Sequence, residues 1–253
     1  MDLDELYWLG LAVMGVWTLV TVVILLRVVA PYGRHTRGGW GPTMPSRWGW
    51  VIFESPAVVL LTAVFVLGPN AGQAGPTALV ALWLLHYLHR DVVWPLFRMT
   101  SGAKPIPVIV VGTAFSFQIV NSGLVALWIG HLGEYPADWL TDPRFVVGAA
   151  LFLVGFAINV HADHVLFTLR APGETGYKVP YGGLYRWVSC PNYLGELLEW
   201  AGFALAAWCL PALAFAVYTA ANLVPRAVAH HRWYRERFPD YPAERRAVLP
   251  GLL

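Results

Sequence analysis

Charged residues are scarce in this chain of 253 residues. They make up 13% of the sequence, while 57% of the residues are hydrophobic, and an ordinary soluble domain is about 25% charged. A chain with so little charge cannot cover its own surface in water. The composition therefore excludes a soluble enzyme, a disordered chain and a nucleic-acid-binding protein, and it predicts an integral protein of the lipid bilayer.

Lysine and cysteine are also rare. Lys104 and Lys178 are the only lysines among 17 basic residues, and the net charge of +2 is too small to indicate a polyanionic partner. Of the two cysteines, Cys190 lies at the end of a loop and Cys209 lies in an apolar run. We expect both to be small packing residues rather than a disulfide.

Long apolar runs, by contrast, are abundant. A helix needs roughly 20 apolar residues to cross a bilayer, and seven apolar runs are candidate spans, of which the last is the shortest. They cover residues 6–30, 50–67, 76–97, 106–131, 145–169, 193–210 and 211–224. The sequence therefore predicts an all-α membrane protein of one domain with seven transmembrane helices, followed by an amphipathic tail from Arg226.

The basic residues are unevenly distributed over the predicted loops. The loops after the first, third and fifth spans and the tail contain almost all of them, whereas Arg144 is the one basic residue in the loops on the other side. The positive-inside rule then predicts that the N-terminus is outside and the C-terminus cytosolic. The membrane would be the inner membrane of a bacterium or the endoplasmic reticulum of a eukaryote.

Polar residues inside the spans are costly and are therefore candidate functional groups. Glu54 lies in the second span, and Tyr87, Arg90 and Asp91 lie in the third. Three more groups follow helical spacing near the predicted cytosolic side: Asn159, Asp163 and Arg170; Asn192, Glu196 and Glu199; and Arg226, His230 and Tyr234.

These three stripes predict a cavity open to the cytosol, with side chains suited to phosphate and ribose. One stripe alone could instead hold helices together. Glu199 and Asp91 could be counter-ions of nearby arginines. We expect the tail arginines Arg235, Arg237, Arg245 and Arg246 to lie in solvent or against lipid headgroups.

A series of spaced motifs identifies a family. The motifs are Glu-Ser-Pro from Glu54, His-Tyr-Leu-His-Arg from His86, residues 159–170, 172–185 and 188–200, and the ending His-His-Arg-Trp-Tyr-Arg-Glu-Arg-Phe-Pro-Asp-Tyr-Pro. Together they cover roughly residues 50–253. This pattern resembles the steroid 5-alpha-reductase (3-oxo-5-alpha-steroid 4-dehydrogenase) family.

The resemblance implies an oxidoreductase that uses NADPH, and no metal, to reduce the C4–C5 double bond of a 3-oxo-Δ4-steroid or another apolar enone. Hydride would reach C5, and Glu54 and Tyr87 would be the catalytic residues that stabilise the enolate oxygen by hydrogen bonds. Phe53, Glu54 and Tyr87 would contact the substrate. The residues implied for the cofactor are Arg90, Asn159, Asp163, Arg170, Tyr177, Lys178, Asn192, Glu196, Arg226, His230 and Tyr234. Residues 1–131 would then supply the substrate-side helices and residues 145–253 the NADPH-binding region.

Two positions depart from the family pattern. Phe53 stands where glutamine is common, which leaves the identity of the substrate open, and Lys178 stands where arginine is usual, which removes a bidentate donor. Other functions stay open as alternatives: an enoyl-CoA or polyprenol reductase of the same fold, a membrane methyltransferase that uses S-adenosylmethionine, a di-iron hydroxylase built on the histidines, and a transporter or receptor.

Overall fold

The computed structural model describes residues 2–99, 103–171, 174 and 176–253. These residues are mostly helical. The α-helices are α1 (Leu3–Leu25), α2 (Ser46–Val66), α3 (Ala74–Leu88), α4 (Val108–Leu127), α5 (Pro143–Thr168), α6 (Pro191–Ala207) and α7 (Leu210–Arg237). Two π-helical segments, His89–Arg98 and Trp128–Leu132, extend α3 and α4.

Short elements connect the helices. Strands β1 (Thr43–Met44) and β2 (Ile106–Pro107) pair antiparallel, with Thr43 opposite Pro107 and Met44 opposite Ile106. The 3-10 turns are Gly33–His35, Trp139–Thr141 and Gly183–Arg186.

Within the described residues, five helical segments are long and apolar enough to cross a membrane: Leu3–Leu25, Ser46–Val66, Val108–Leu132, Pro143–Thr168 and Leu210–Arg237. The prediction of an all-α, multi-pass membrane protein is confirmed at this level. The helices α3 and α6 are shorter, with 15 and 17 residues. The seven-span topology and the orientation of the termini stay predictions.

The predicted break between a seventh span and a separate tail is wrong. One continuous helix, Leu210–Arg237, includes Pro225 in its interior. Its buried positions, Thr219, Leu223, Ala227, His230 and Tyr234, continue at helical spacing on both sides of the proline. Proline removes one backbone hydrogen-bond donor. The packing of this face on both sides of Pro225 keeps the helix continuous there.

Helices α5 and α6 approach each other most closely at glycines. A Cβ atom on Gly155 would lie 2.5 Å from the backbone nitrogen of Glu199 and from the carbonyl oxygen of Gly195, and a Cβ atom on Gly195 would lie 2.6 Å from the nitrogen of Asn159. Small residues allow backbones in a membrane to come this close. The contact brings the polar stripes of α5 and α6 face to face.

The core of the bundle is aromatic. Trp83 on α3 packs against Trp200, Phe203 and Phe215, with ring centroids 5.3 to 5.5 Å apart. Its indole nitrogen donates to the carbonyl of Ala57, at 2.8 Å. These rings support the floor of the cavity described next.

Candidate active site

One cavity of about 590 Å³ collects most of the predicted site residues. Its wall is formed by α2 to α7, together with the segment that follows α1. A second cavity, of about 820 Å³, lies between the outer face of α5 and the turn Gly183–Arg186, and its wall contains none of the predicted site residues. The first cavity is therefore the candidate active site.

Three buried side chains form what we call the carboxyl–tyrosine cluster: Glu54 on α2, Tyr87 on α3 and Gln118 on α4. The amide nitrogen of Gln118 donates to Glu54 Oε2 at 2.6 Å and to the Tyr87 hydroxyl oxygen at 3.1 Å. Their exposed fractions are 7%, 2% and 6%. Each residue comes from a different helix, so the packing of α2, α3 and α4 fixes this arrangement.

Aromatic rings surround this cluster. Phe53 packs on Trp50, with centroids 4.7 Å apart, and Phe117 stacks on Tyr218 at 3.7 Å. All four rings line the cavity. Such a wall suits a flat apolar ligand with a few polar atoms.

A second group of polar side chains, the arginine cluster, comprises Arg34, Arg90, Arg226 and the side chains that contact them. Arg90 lies 3.2 Å from Asp163 Oδ2 and 3.5 Å from Glu196 Oε1. Its guanidinium also stacks over the rings of Trp50 and Trp94, at 4.5 and 5.0 Å. Arg90 thus joins the charged network to the aromatic wall.

Two asparagines complete the network around Arg90. Asn159 donates to the backbone oxygen of Asn192 at 3.0 Å and to Glu196 Oε1 at 3.1 Å. Asn192 in turn donates to Asp163 Oδ1 at 3.1 Å. The close approach of α5 and α6 makes these contacts possible.

Arg226 and His230 lie on the same face of α7. Arg226 donates to the Tyr193 hydroxyl at 3.3 Å and stacks over the ring of Tyr32 at 4.2 Å. His230 contacts Tyr193 at 3.1 Å and stacks on His35, whose Nε2 lies 2.8 Å from His230 Nδ1. The segment after α1 therefore packs against the C-terminal part of α7.

The third arginine, Arg34, comes from the same segment. Its guanidinium lies 4.5 Å from the centroid of the Tyr234 ring. In the part of the chain that the structure describes, Arg34 Nη1 and Arg226 Nε are buried and have no hydrogen-bond partner. Buried cationic donors without an acceptor fit an anionic ligand such as a phosphate.

The positive charge around Arg34 affects its neighbour outside the membrane-spanning segments. Burial, together with the charges of Arg34 and Arg37, lowers the pKa of His35 from 6.5 to about 4. His35 is therefore neutral at pH 7, and one ring nitrogen of the His35–His230 pair donates to the other.

Some predicted residues lie at the edge of the cavity or outside it. Arg170 lies two residues beyond Thr168, the last residue of α5, so the predicted helical stripe does not extend to it. Its guanidinium donates to Gly176 O at 3.1 Å. Tyr177 is 37% exposed and packs edge-on against Trp233. Lys178 is exposed and pairs with Glu174 at 2.5 Å, and it does not line the cavity.

Neither Glu199 nor Asp91 forms a direct ion pair with an arginine among the described residues. Glu199 pairs with His86 Nδ1 at 2.8 Å, and Asp91 Oδ1 is buried without a hydrogen-bond partner there. The expectation for Arg245 is wrong. Arg245 is 1% exposed and donates to the carbonyl of Pro180 at 3.0 Å, so it is neither solvated nor at a headgroup. The expectation for the cysteines is confirmed, because Cys190 and Cys209 are free and buried.

Sequence reasoning missed Gln118, Arg34, His35 and Tyr193. Gln118 could have been found, since it is a polar side chain inside an apolar span, as Glu54 is. Arg34 and His35 lie in a polar loop where basic residues are ordinary. No local pattern in the sequence places that loop against α7.

Known proteins are similar to this chain along its whole length. A family model described as 3-oxo-5-alpha-steroid 4-dehydrogenase matches residues 104–253. The chain is 41% identical to 3-oxo-5-alpha-steroid 4-dehydrogenase 1 of Rattus norvegicus, over 100% of this chain and 98% of the relative. It is 43% identical to the protein of that name from Bos taurus, over 99% and 97%. It is 42% identical to steroid 5-alpha-reductase DET2 of Gossypium hirsutum, over 92% of each chain.

Proposed function

The chain belongs to the 3-oxo-5-alpha-steroid 4-dehydrogenase family and is an oxidoreductase of steroid 5-alpha reduction, and we propose that it uses NADPH to reduce the C4–C5 double bond of 3-oxo-Δ4-steroids. One observation carries this proposal. The carboxyl–tyrosine cluster and the arginine cluster line the same cavity. A hydrogen-bonding pair in an aromatic wall suits the steroid ketone, and a cationic region suits a dinucleotide.

The arginine cluster fits the phosphates of NADPH. Arg34 and Arg226 present buried guanidinium nitrogens without a partner among the described residues. The residues that would hold the cofactor are Arg34, Arg90, Asn159, Asp163, Arg170, Tyr177, Asn192, Glu196, Arg226, His230 and Tyr234. Lys178 would contribute charge near the edge of the cavity. When bound, NADPH supplies the hydride that C5 of the steroid accepts.

Glu54 and Tyr87 act on the other end of the enone. As C5 is reduced, negative charge develops on the 3-ketone oxygen, and donors aimed at that oxygen stabilise the transition state more than the ground state. A protonated Glu54 and the Tyr87 hydroxyl are such donors. Phe53 and its neighbours form the apolar wall around the reacting atoms. A proton taken up from solvent and added at C4 completes the reduction.

The proposed membrane arrangement follows from the separation of the carboxyl–tyrosine cluster and the arginine cluster. We propose seven spans with the N-terminus outside and the C-terminus in the cytosol, so that the arginine cluster meets cytosolic NADPH. Residues 1–131 would form most of the steroid-binding side and residues 145–253 most of the cofactor-binding side. The host membrane would be the bacterial inner membrane or the endoplasmic reticulum.

The direct test is NADPH oxidation by the purified full-length protein. Testosterone, progesterone, an enoyl-CoA and a sample without substrate are compared, and product masses are recorded. We expect both Δ4-3-ketosteroids to gain two hydrogens while NADPH is consumed. Turnover of the enoyl-CoA alone would refute the steroid assignment, and no NADPH oxidation with any substrate would refute the proposal as a whole.

A further inference from the structure

We infer that Gln118 is a positioning residue of the reduction, because its amide group determines in which direction Glu54 and Tyr87 can donate hydrogen bonds. The inference rests on the proposed function, since it concerns the same ketone-binding pair. Among the described residues, Gln118 is the one side chain hydrogen-bonded to both Glu54 and Tyr87.

Hydrogen counting gives the first step of the argument. A primary amide nitrogen carries two hydrogens, and Gln118 directs one to Glu54 Oε2 and the other to the Tyr87 hydroxyl oxygen. Both of those oxygens therefore act as acceptors in these contacts. The hydroxyl hydrogen of Tyr87 and a proton on Glu54 Oε1 remain free for another acceptor.

The cavity is where these two donors find that acceptor. Glu54, Tyr87 and Gln118 are all buried, and all three line the cavity. Because both donors belong to residues that line the cavity, a ligand that fills the cavity needs an oxygen at this place, or it would leave them without an acceptor. The arrangement matches a single ketone oxygen that accepts from both.

The opposite orientation of the amide would remove both donors. If the carbonyl oxygen of Gln118 faced the pair, it would accept from Tyr87 and from a protonated Glu54. Neither proton would then be available to the substrate. The reaction therefore depends on which atom of the Gln118 amide faces Glu54 and Tyr87, and not only on the presence of a polar residue.

Two neighbours on α4 hold the amide in the productive orientation. Asn121 donates from Nδ2 to Gln118 Oε1 at 3.3 Å, which keeps the oxygen away from the pair. The Ser122 hydroxyl donates to the backbone carbonyl of Gln118 and ties the adjacent turn of the helix. Asn121 and Ser122 are both almost fully buried, so water does not compete for these contacts.

Three variants of the full-length enzyme test this inference. Gln118→Met keeps the length of the side chain and removes the amide. Gln118→Glu replaces the nitrogen by an acceptor oxygen, and Asn121→Asp gives the Gln118 nitrogen a competing acceptor on the wrong side. Steroid kcat, steroid KM, the Kd for NADPH and thermal stability are measured for each variant and for the wild type.

We expect kcat to fall about 100-fold in Gln118→Met, because a misdirected donor costs about this much in rate. Gln118→Glu should be slower still, and Asn121→Asp should fall between Gln118→Met and the wild type. The Kd for NADPH and the unfolding temperature should stay close to the wild-type values. Gln73→Met is the matched control, since Gln73 is the other glutamine of the chain and, in the described residues, its side chain donates only to Asn70 Oδ1.

The possible results separate this inference from the proposed function. Wild-type kcat in both Gln118 variants would overturn the inference and leave the proposed function intact. A parallel loss of NADPH binding and thermal stability would also overturn it, since that result marks a merely structural glutamine. Absence of steroid reduction by the wild type would refute the proposed function itself. If Gln118→Met does not fold, Gln118→Glu and Asn121→Asp still decide the question.

Discussion

The carboxyl–tyrosine cluster and the arginine cluster line one cavity but are built in different ways. The first consists of three side chains on three helices, joined by two hydrogen bonds from Gln118. The second draws on the segment after α1, the extension of α3, and α5, α6 and α7, and many of its members have more than one partner. The first cluster has few side chains and few hydrogen bonds, whereas the second has many members with overlapping contacts.

This difference has a chemical reason. Stabilising charge on one ketone oxygen needs few donors, but their positions must be accurate. Holding a large anion needs many contacts, and each contributes only part of the binding energy. We therefore expect single substitutions to cause large losses of kcat at the carboxyl–tyrosine cluster and graded losses of NADPH affinity at the arginine cluster.

The largest effect should come from Tyr87→Phe. The change removes one donor to the ketone oxygen, and loss of one such donor lowers kcat by about 10²- to 10³-fold. Steady-state kinetics with testosterone and NADPH measure the loss, and titration of NADPH should show an unchanged Kd. Tyr135→Phe is the control, since the Tyr135 hydroxyl donates to Ala207 O instead, at 2.9 Å. A Tyr87→Phe enzyme with wild-type kcat would remove Tyr87 from the mechanism.

Arg226→Leu probes the arginine cluster. A charge-assisted hydrogen bond contributes about 1.5–3 kcal/mol, so the Kd for NADPH should rise by roughly 10- to 100-fold while kcat at saturating cofactor changes little. Fluorescence titration of NADPH gives the Kd. The control is Arg235→Leu on the exposed side of the same helix. A fall in kcat with an unchanged Kd would contradict the division between the two clusters.

Gly155→Ala tests whether the glycine contact of α5 and α6 supports the arginine cluster. The added Cβ would lie 2.5 Å from backbone atoms of α6, and overpacking of this kind costs about 1–3 kcal/mol. We expect a lower unfolding temperature and weaker NADPH binding. Gly112→Ala on α4 should be neutral or slightly stabilising, because its Cβ would meet nothing within 4 Å. If Gly155→Ala and Gly112→Ala had the same unfolding temperature and the same Kd for NADPH, the glycine contact would have no supporting role.

The sequence predicts the helices well because hydropathy dominates in a membrane protein. The apolar runs predict helices close to the observed bounds, except for the end of α7. Helical spacing predicts that Asn192 and Glu196 share one face of α6, and the structure adds that Asn159 on α5 contacts both. Pro225 misled the prediction of α7, since tertiary packing outweighs the loss of one backbone donor. Arg170 was assigned to a helical stripe although α5 ends at Thr168.

The contacts between distant segments were harder to predict. The stacking of His35 on His230 joins residues 195 positions apart, and no local pattern encodes it. The sequence predicts a surface position for Arg245, because it does not show that the C-terminal segment folds back onto Pro180. Gln118 could have been predicted from the sequence, because an amide in an apolar span is also costly.

A smaller effect should appear in the pH dependence of cofactor-free protein. The pKa of His35 is lowered from 6.5 to about 4, so the unfolded chain binds more protons than the folded chain between these values. The stability that neutral His35 contributes is complete above pH 6.5 and is lost as the pH falls towards 4. His35→Gln should therefore lose less thermal stability than the wild type between pH 7 and pH 5.

The matched control for this pH effect is His164→Gln, on an exposed position of α5 outside the cavity. Unfolding temperatures of both variants and of the wild type are compared at pH 7, 6 and 5. Identical pH dependence of wild type and His35→Gln would contradict the assignment of a neutral His35 within the positive arginine cluster.

Lys178→Ala should have the smallest effect. Lys178 stands where the family usually has arginine, yet its ammonium group bonds to Glu174 at 2.5 Å and lowers the pKa of that carboxyl. Because exposed pairs of this kind contribute little, the Kd for NADPH should change by less than about 2-fold. Titration of NADPH into Lys178→Ala and Lys178→Arg decides the point. A loss as large as that of Arg226→Leu would mean that Lys178 leaves Glu174 for the cofactor, and tighter binding by Lys178→Arg would mean that a guanidinium reaches a phosphate that the ammonium does not.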